Sequence, residues 1–163
     1  MISLNSQRSL TDVDGYEVAG YRKKMISMYQ TAYITFEDDG QTLVGATIQL
    51  HSHFSFKSSA DIYIHNPPMS IDDVTTSGQN VSINVKGDFM AKAYDFMMYP
   101  DTDQPYKIAE VKRESELLRN MLFSAVGLNT ADKNTYFIEI QPNIDIAFIC
   151  LCAYALDEMF AEA

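Results

Sequence analysis

Short runs in which apolar and polar residues alternate follow one another along most of the chain. In the clearest run Val81, Ile83 and Val85 alternate with polar residues. Such alternation directs one face of a β-strand to a core and the other to solvent. Comparable runs predict strands near residues 16–21, 31–36, 42–50, 54–56, 62–64, 94–98, 107–111 and 136–140. Strands this short and closely spaced predict an antiparallel sandwich or barrel.

Turn and breaker residues separate these runs. Asp39-Gly40 predicts a hairpin turn, because Gly adopts the positive φ that tight turns require. The segment 65–68, His-Asn-Pro-Pro, is predicted to end a strand, because proline has no N–H to donate to a β-ladder. Residues 115–126 show helical spacing instead, and predict either a short surface helix or a loop.

The C-terminal segment has a different pattern. All eleven residues from 146 to 156 are apolar, and Asn143 and Asp145 can cap a helix that runs to about Ala161. A helix without a polar stripe is buried on all sides. Because a bilayer span needs about 20 such residues, we expect protein to surround this helix. The sequence therefore predicts a mainly β fold, an antiparallel β-barrel enclosing a hydrophobic C-terminal α-helix.

The size and the charge of the chain restrict the classes of function that it can have. A chain of 163 residues has the usual size of one domain. Its 12 basic and 22 acidic residues give a net charge of −10, which repels nucleic acid phosphates and argues against a nucleic acid partner. The same charge opposes broad attraction to anionic membranes, although a local basic patch can still act.

Two further features predict the compartment. The cysteines are Cys150 and Cys152, whose spacing favours no bridge on a strand or on a helix, so we expect reduced thiols. The first residues contain no basic segment leading into an apolar run, so no signal peptide is predicted. These observations predict a cytoplasmic protein, either free or peripherally attached to a membrane.

Several motifs follow one another in a defined order. They are D-x-D-G at 12–15 with a strand and basic residues after it, V-K-G-D-F at 85–89 with A-Y-D-F at 93–96, I-A-E-V-K-R at 108–113, and the segment 132–145 with the apolar helix and L-D-E-M-F at 156–160. In this order they resemble the tubby C-terminal-like superfamily, and within it the LURP-one-related branch, with phospholipid scramblases as cousins. The resemblance implies a closed barrel threaded by the C-terminal helix. It also implies a non-enzymatic role, because the superfamily is associated with phosphoinositide or lipid binding and, in plants, with defence.

The chain also departs from its suspected relatives. They carry one or two strands before the D-x-D-G turn, where this chain has about eleven residues. We therefore expect a single domain, 1–163, that lacks one or two N-terminal strands and has an open edge or pairs with a second chain. The calcium-binding stretch of scramblases is reduced to Asp132, and a lone carboxylate binds Ca²⁺ poorly.

The densest basic cluster is Arg22, Lys23 and Lys24. Three basic residues at a strand end can hold a phosphate through charge-assisted hydrogen bonds, or can form a solvated edge that discourages strand pairing. Together with the resemblance, this cluster predicts a non-enzymatic binding module. Its expected ligand is a membrane lipid head group, such as a phosphoinositide, or a protein partner.

The histidines support an alternative. His51 and His53 would face the same way on a strand, and His65 could lie on a neighbouring one. An H-x-H pair in a small β-barrel is the beginning of a metal site, which would make the protein a metal-dependent enzyme. No carboxylate lies at a suitable spacing, so the sequence predicts no metal and no cofactor.

Overall fold

The computed structural model describes residues 7–11, 14–24, 30–51, 58–99, 104–113 and 136–161. Nine strands form one antiparallel sheet in which each strand pairs with the next along the chain. The strands are β1 (Gln7–Thr11), β2 (Glu17–Lys24), β3 (Thr31–Asp38), β4 (Gln41–His51), β5 (Ser58–Ser70), β6 (Ile83–Asp88), β7 (Ala93–Met98), β8 (Tyr106–Arg113) and β9 (Tyr136–Ile140). One helix, α1 (Ile146–Ala161), follows them. The predicted mainly β, antiparallel barrel-like fold with a hydrophobic C-terminal helix is confirmed. The sheet curls into a half-barrel against which α1 packs, and not into the closed barrel that the resemblance implied.

The predicted hairpin between β3 and β4 is present. Asp38 pairs with Gln41, and the two residues between them both have positive φ, 46° at Asp39 and 75° at Gly40. Two consecutive positive φ values match the right-handed twist of the flanking strands, which is why an Asp-Gly pair closes this turn. This hairpin therefore follows from its sequence alone.

The core lies between the inner face of the sheet and α1. Tyr21 of β2 meets Tyr154 of α1 edge to face, with ring centroids 6.2 Å apart. At the other end of the helix Phe160 stacks on Phe89, with centroids 4.5 Å apart. The helix residues with no exposed surface are Ile149, Cys152, Ala153, Ala155, Leu156 and Met159. The apolar helix is thus packed along most of its length.

The burial of α1 is nevertheless less complete than predicted. Ile146 is 66% exposed, and Cys150 is half-buried. The apolar run indicated burial on all sides, but its composition does not say how far the sheet wraps round the helix. The predicted cap at Asp145 is confirmed, since its Oδ1 accepts the N–H of Phe148 at 2.9 Å. Within the described part of the chain, no helix is both long and apolar enough to cross a membrane.

The prediction that the 65–68 segment ends a strand is wrong. β5 continues through Pro67 and Pro68 to Ser70. The register with β4 passes from Ala46 opposite Ile64 to Val44 opposite Met69, so the four residues between Ile64 and Met69 form an irregularity in the ladder. Proline is tolerated there because ladder hydrogen bonds are interrupted at a bulge.

Some predicted features lie outside the described residues. These are the apolar run at 54–56, the helix or loop at 115–126, and Asp132. At the N-terminus, β1 precedes the D-x-D-G turn and pairs with β2 from Gln7 opposite Arg22 to Thr11 opposite Glu17. One strand is therefore present before that turn, and the extent of the domain, 1–163, stays a prediction.

The outer face of the sheet is partly covered, which the alternation did not predict. Asn84 of β6 and Thr47 of β4 are polar residues of this face, and both are buried. The connection between β5 and β6 folds back towards them, because the Gln49 side-chain amide donates to Thr76 Oγ1 at 2.8 Å. Asn84 therefore lies on the outer face, as the polar alternation indicates, but it is not exposed to solvent.

Candidate functional site

The antiparallel order of the strands gives the sheet two distinct ends. Connections after β1, β3, β5 and β7 lie at one end, which also carries the start of α1. Connections after β2, β4, β6 and β8 lie at the other end, where Phe160 reaches the β6–β7 turn. We call these the acidic end and the basic end, for the charges described below. The 16 residues of α1 separate them by about 24 Å at 1.5 Å per residue.

The predicted lipid-binding residues lie at the basic end. Arg22, Lys23 and Lys24 are the last residues of β2, opposite Tyr33, Ala32 and Thr31 of β3, respectively. Successive strand residues alternate between the faces of a sheet, so Arg22 and Lys24 occupy positions on one face and Lys23 a position on the other. Of the three, Arg22 has a described side chain, and it is half-buried.

Two more residues belong to the same end. His51 ends β4, and Lys86 is an exposed residue of β6 that lies opposite Ser59 of β5. We call Arg22, Lys23, Lys24, His51 and Lys86 the basic patch. The patch extends across the ends of strands from β2 to β6, so its members come from separate parts of the sequence.

Lys107 and Lys112 of β8 are each paired with two carboxylates. On β8, Lys107 Nζ lies 3.3 Å from Asp95 and 2.9 Å from Glu110. Lys112 Nζ lies 3.1 Å from Glu110 and 3.2 Å from Glu139. The hydrogen bond from Lys107 lowers the pKa of Glu110, and the bond to Glu110 raises the pKa of each lysine. These cations are balanced locally and offer less attraction to an anionic ligand.

The histidine of the basic patch has partners that the sequence analysis missed. His51 Nε2 lies 2.6 Å from Asp61 Oδ2, and the Asn84 side-chain amide donates to Asp61 Oδ1 at 2.5 Å. Each residue comes from a different strand, β4, β5 and β6, and occupies a polar position in it. Polar alternation marks each of the three residues as a polar position of its own strand. Which of these residues meet, however, depends on the register between the strands.

His65 has a different environment. It is 4% exposed, and its Nε2 lies 2.8 Å from Thr47 Oγ1. Burial lowers the pKa of His65, and a hydrogen bond with Gln79 partly opposes this shift. A cleft of about 450 Å³ lies beside it, lined also by Ile64, Asn66, Pro67, Pro68, Met69, Gln79 and Asn80.

The structure does not bring His51 and His65 together. His51 lies opposite Ser59, six residues before His65 on β5, which corresponds to about 20 Å along a strand. His53 lies outside the described residues. Among the residues that the structure does describe, no group of three or more His, Cys, Asp or Glu is arranged to hold a metal ion.

The burial of His65 predicts a dependence of stability on pH. Its folded-state pKa is lowered from about 6.5, so the unfolded chain binds a proton more readily. The free energy of unfolding should therefore fall as the pH drops through about 6.5 towards 5. Urea denaturation at pH 7.5, 6.5 and 5 measures this. His65→Gln should reduce the pH dependence, and equal slopes for His65→Gln and the unmodified chain would contradict the prediction.

The cysteines carry no exposed reactive thiol. Both are free, Cys152 is fully buried and Cys150 is half-buried. Burial raises the pKa of both thiols, and the neighbouring Cys150 raises that of Cys152 further. Because the thiolate is the reactive form, neither group has the character of a catalytic nucleophile.

The fold indicates the class to which this protein belongs. A curled antiparallel sheet packed on an apolar C-terminal helix is the tubby-like architecture that the ordered motifs implied. The model of the LURP-one-related family matches residues 1–157 of the chain. The chain therefore belongs to the LURP-one-related family, a non-catalytic family with a tubby-like fold. Searches of curated proteins and of solved structures gave no match.

Proposed function

We propose that this protein is a binding module that recognises an anionic lipid head group, such as a phosphoinositide, through its basic patch. The observation that carries the proposal is the cluster of basic residues at one end of the sheet, away from the exposed carboxylates in the turns of the other end. Arg22, Lys23 and Lys24 end β2, and Lys86 lies towards the same end of the sheet on β6. Membership of a tubby-like family supports a binding role over a catalytic one.

The net charge of −10 does not prevent this interaction. Exposed charges are screened over a Debye length of about 8 Å at physiological ionic strength. The acidic end lies about 24 Å away along α1, about three Debye lengths. A membrane that meets the basic end is therefore attracted by the nearby cations, while the carboxylates of the acidic end are largely screened from it.

The alternative function, a metal-dependent enzyme, has less support. It requires His51, His53 and His65 to meet, and His51 and His65 lie at well-separated positions along β5. His51 is bonded to Asp61, which Asn84 holds in place. This arrangement suits an imidazole that is fixed in the wall of the sheet.

Vesicle sedimentation tests the lipid proposal. We expect sedimentation with phosphatidylcholine vesicles that contain phosphatidylinositol bisphosphate, and little with phosphatidylcholine alone. Lys23→Gln with Lys24→Gln should weaken binding about 30-fold, since a basic residue near an anionic membrane contributes about 1 kcal/mol. Binding should also weaken as salt is raised.

The ion-pair residues of β8 provide a matched control. Lys107→Gln with Lys112→Gln removes the same charge from residues already balanced by carboxylates. This control should change vesicle binding much less than the basic-patch variant. Equal sedimentation with both vesicle types, or equal losses in the two variants, would be evidence against recognition by the basic patch.

A further inference from the structure

An apolar groove opens at the acidic end, between the start of α1 and the sheet. It has a volume of about 380 Å³, within the range of ligand pockets, about 300–1,000 Å³. Its walls are mainly apolar, and most of the apolar side chains come from β2, β3 and α1: Ala19, Ile34, Phe36, Ala147, Phe148 and Leu151. The groove exists because the half-barrel leaves the first turns of α1 partly uncovered.

The groove has a buried floor and an exposed rim. Ile34 and Leu151 in the floor are 5% and 7% exposed, while Ile64 at the rim is 42% exposed. Gly45 forms part of the wall, and a Cβ there would lie 3.1 Å from Phe36 Cε1. The Phe36 ring therefore rests against the β4 backbone at Gly45.

The turns at this end carry many exposed carboxylates. They lie in or beside the turns at this end: Asp14, Glu17, Glu37, Asp38, Asp39, Asp72, Asp73 and Asp145. Asp145 itself lines the groove. Among the residues described at this end Lys107 is the single cation, and it is paired with Asp95 and Glu110. The groove is therefore apolar inside and strongly acidic around its opening.

We propose that this groove is a docking site for a basic amphipathic segment of a partner protein. An apolar side chain of that segment fills the groove, and its lysines or arginines face the surrounding carboxylates. This is the helix-in-groove mode of recognition, in which apolar anchors give affinity and complementary charge gives specificity and a fast encounter. The chemistry of the opening selects against an anionic lipid, because its head group would meet the carboxylates.

This site is separate from the basic patch. The groove lies where α1 begins, whereas Arg22 and Lys86 lie at the opposite ends of their strands. A partner can thus occupy the groove while the basic patch is bound to a membrane. The docking proposal does not depend on whether the basic patch recognises a lipid.

A synthetic peptide tests the proposal directly. The probe is a fluorescein-labelled helix with leucine at i, i+3, i+4 and i+7 and lysine at most other positions, measured by fluorescence anisotropy. We expect saturable binding that weakens with salt. A scrambled peptide of the same composition should bind about tenfold more weakly, the equivalent of losing one buried apolar anchor. A version with glutamate in place of lysine should not bind.

Variants of the protein locate the site. Ala147→Phe places a ring in the groove from a half-buried position on α1 and should abolish binding. Asp38→Lys and Asp72→Lys change exposed residues in the turns at the acidic end, and each should weaken binding about threefold. Glu158→Lys is the matched control near the other end of α1 and should leave affinity unchanged.

Each alternative occupant gives a distinct result that would overturn the proposal. Competition by neutral phosphatidylcholine vesicles would indicate an acyl chain in the groove. Self-association that Ala147→Phe abolishes, seen by analytical ultracentrifugation, would indicate a second copy of this chain. Equal binding of the designed and scrambled peptides would indicate attraction by charge alone. Lys23→Gln with Lys24→Gln should keep full peptide affinity, which separates this test from the lipid proposal.

Discussion

Replacing Ala153 with aspartate is expected to lower the free energy of unfolding by about 3–5 kcal/mol, because it buries an unpaired carboxylate. Ala153 is 0% exposed and lies between Cys152 and Tyr154 near the middle of α1. Typical domains have a total stability of about 5–15 kcal/mol, so this change removes a large part of it. Urea denaturation followed by circular dichroism measures the loss.

Ile146→Asp is the matched control on the same helix. Ile146 is the first residue of α1 and is 66% exposed, and an acidic residue in a first helical turn interacts favourably with the helix dipole. Its substitution should change stability by no more than about 0.5 kcal/mol. Equal effects at Ala153 and Ile146 would mean that α1 is not packed against the sheet as described.

Gly87→Ala is expected to cost about 3 kcal/mol, since it combines backbone strain with a clash inside the sheet. Gly87 has φ +152° and lies opposite Tyr94 in the β6–β7 ladder. A Cβ at this position would lie 2.5 Å from Tyr94 Cα and would also meet the carbonyl oxygen of Ala93. Both are backbone atoms, so the contact cannot be relieved by turning a side chain.

Gly78→Ala separates the two contributions. Gly78 also has positive φ, +76°, but a Cβ there would meet nothing within 4 Å. This variant should cost about 1–2 kcal/mol from backbone strain alone. A thermal or urea melt of both variants makes the comparison, and a Gly87→Ala loss no greater than that of Gly78→Ala would show that β6 and β7 adapt to the added methyl group.

The two proposals together describe a protein with separate tasks at its two ends. The basic patch faces an anionic membrane, and the apolar groove beside the start of α1 takes a basic segment of a partner. Such a molecule would hold its partner at the membrane without any chemistry of its own. The lipid and peptide experiments test the two halves separately, because their variants lie at opposite ends of the sheet.

Local patterns predicted most of the elements. The alternation of Ile83 and Val85 indicated β6, and Asp39-Gly40 indicated the β3–β4 turn. The apolar run after Asp145 indicated α1 and its cap. These signals are readable because strand alternation, turn conformation and helix capping each depend on residues close together in the chain.

Other features depended on which strands lie side by side. The prolines of β5 are accommodated because the ladder with β4 is irregular there. His51, Asp61 and Asn84 meet because three strands have one particular register. A shift of one residue in any of these strands would turn its side chains to the other face, and nothing in a single strand specifies that register.

The sequence by itself determined that the chain is mainly β, that an apolar helix ends it, and that its motifs follow the LURP-one-related order. The tertiary structure decided how far the sheet wraps round α1, and so left Ile146 exposed and opened the groove beside Ala147. It also brought the exposed carboxylates of separate turns to one end, since antiparallel connections alternate sides. The physical reason is the distance along the chain over which each feature is determined. Hydrophobic periodicity reports the local conformation, whereas curvature, burial and clefts arise from contacts between segments far apart in the chain.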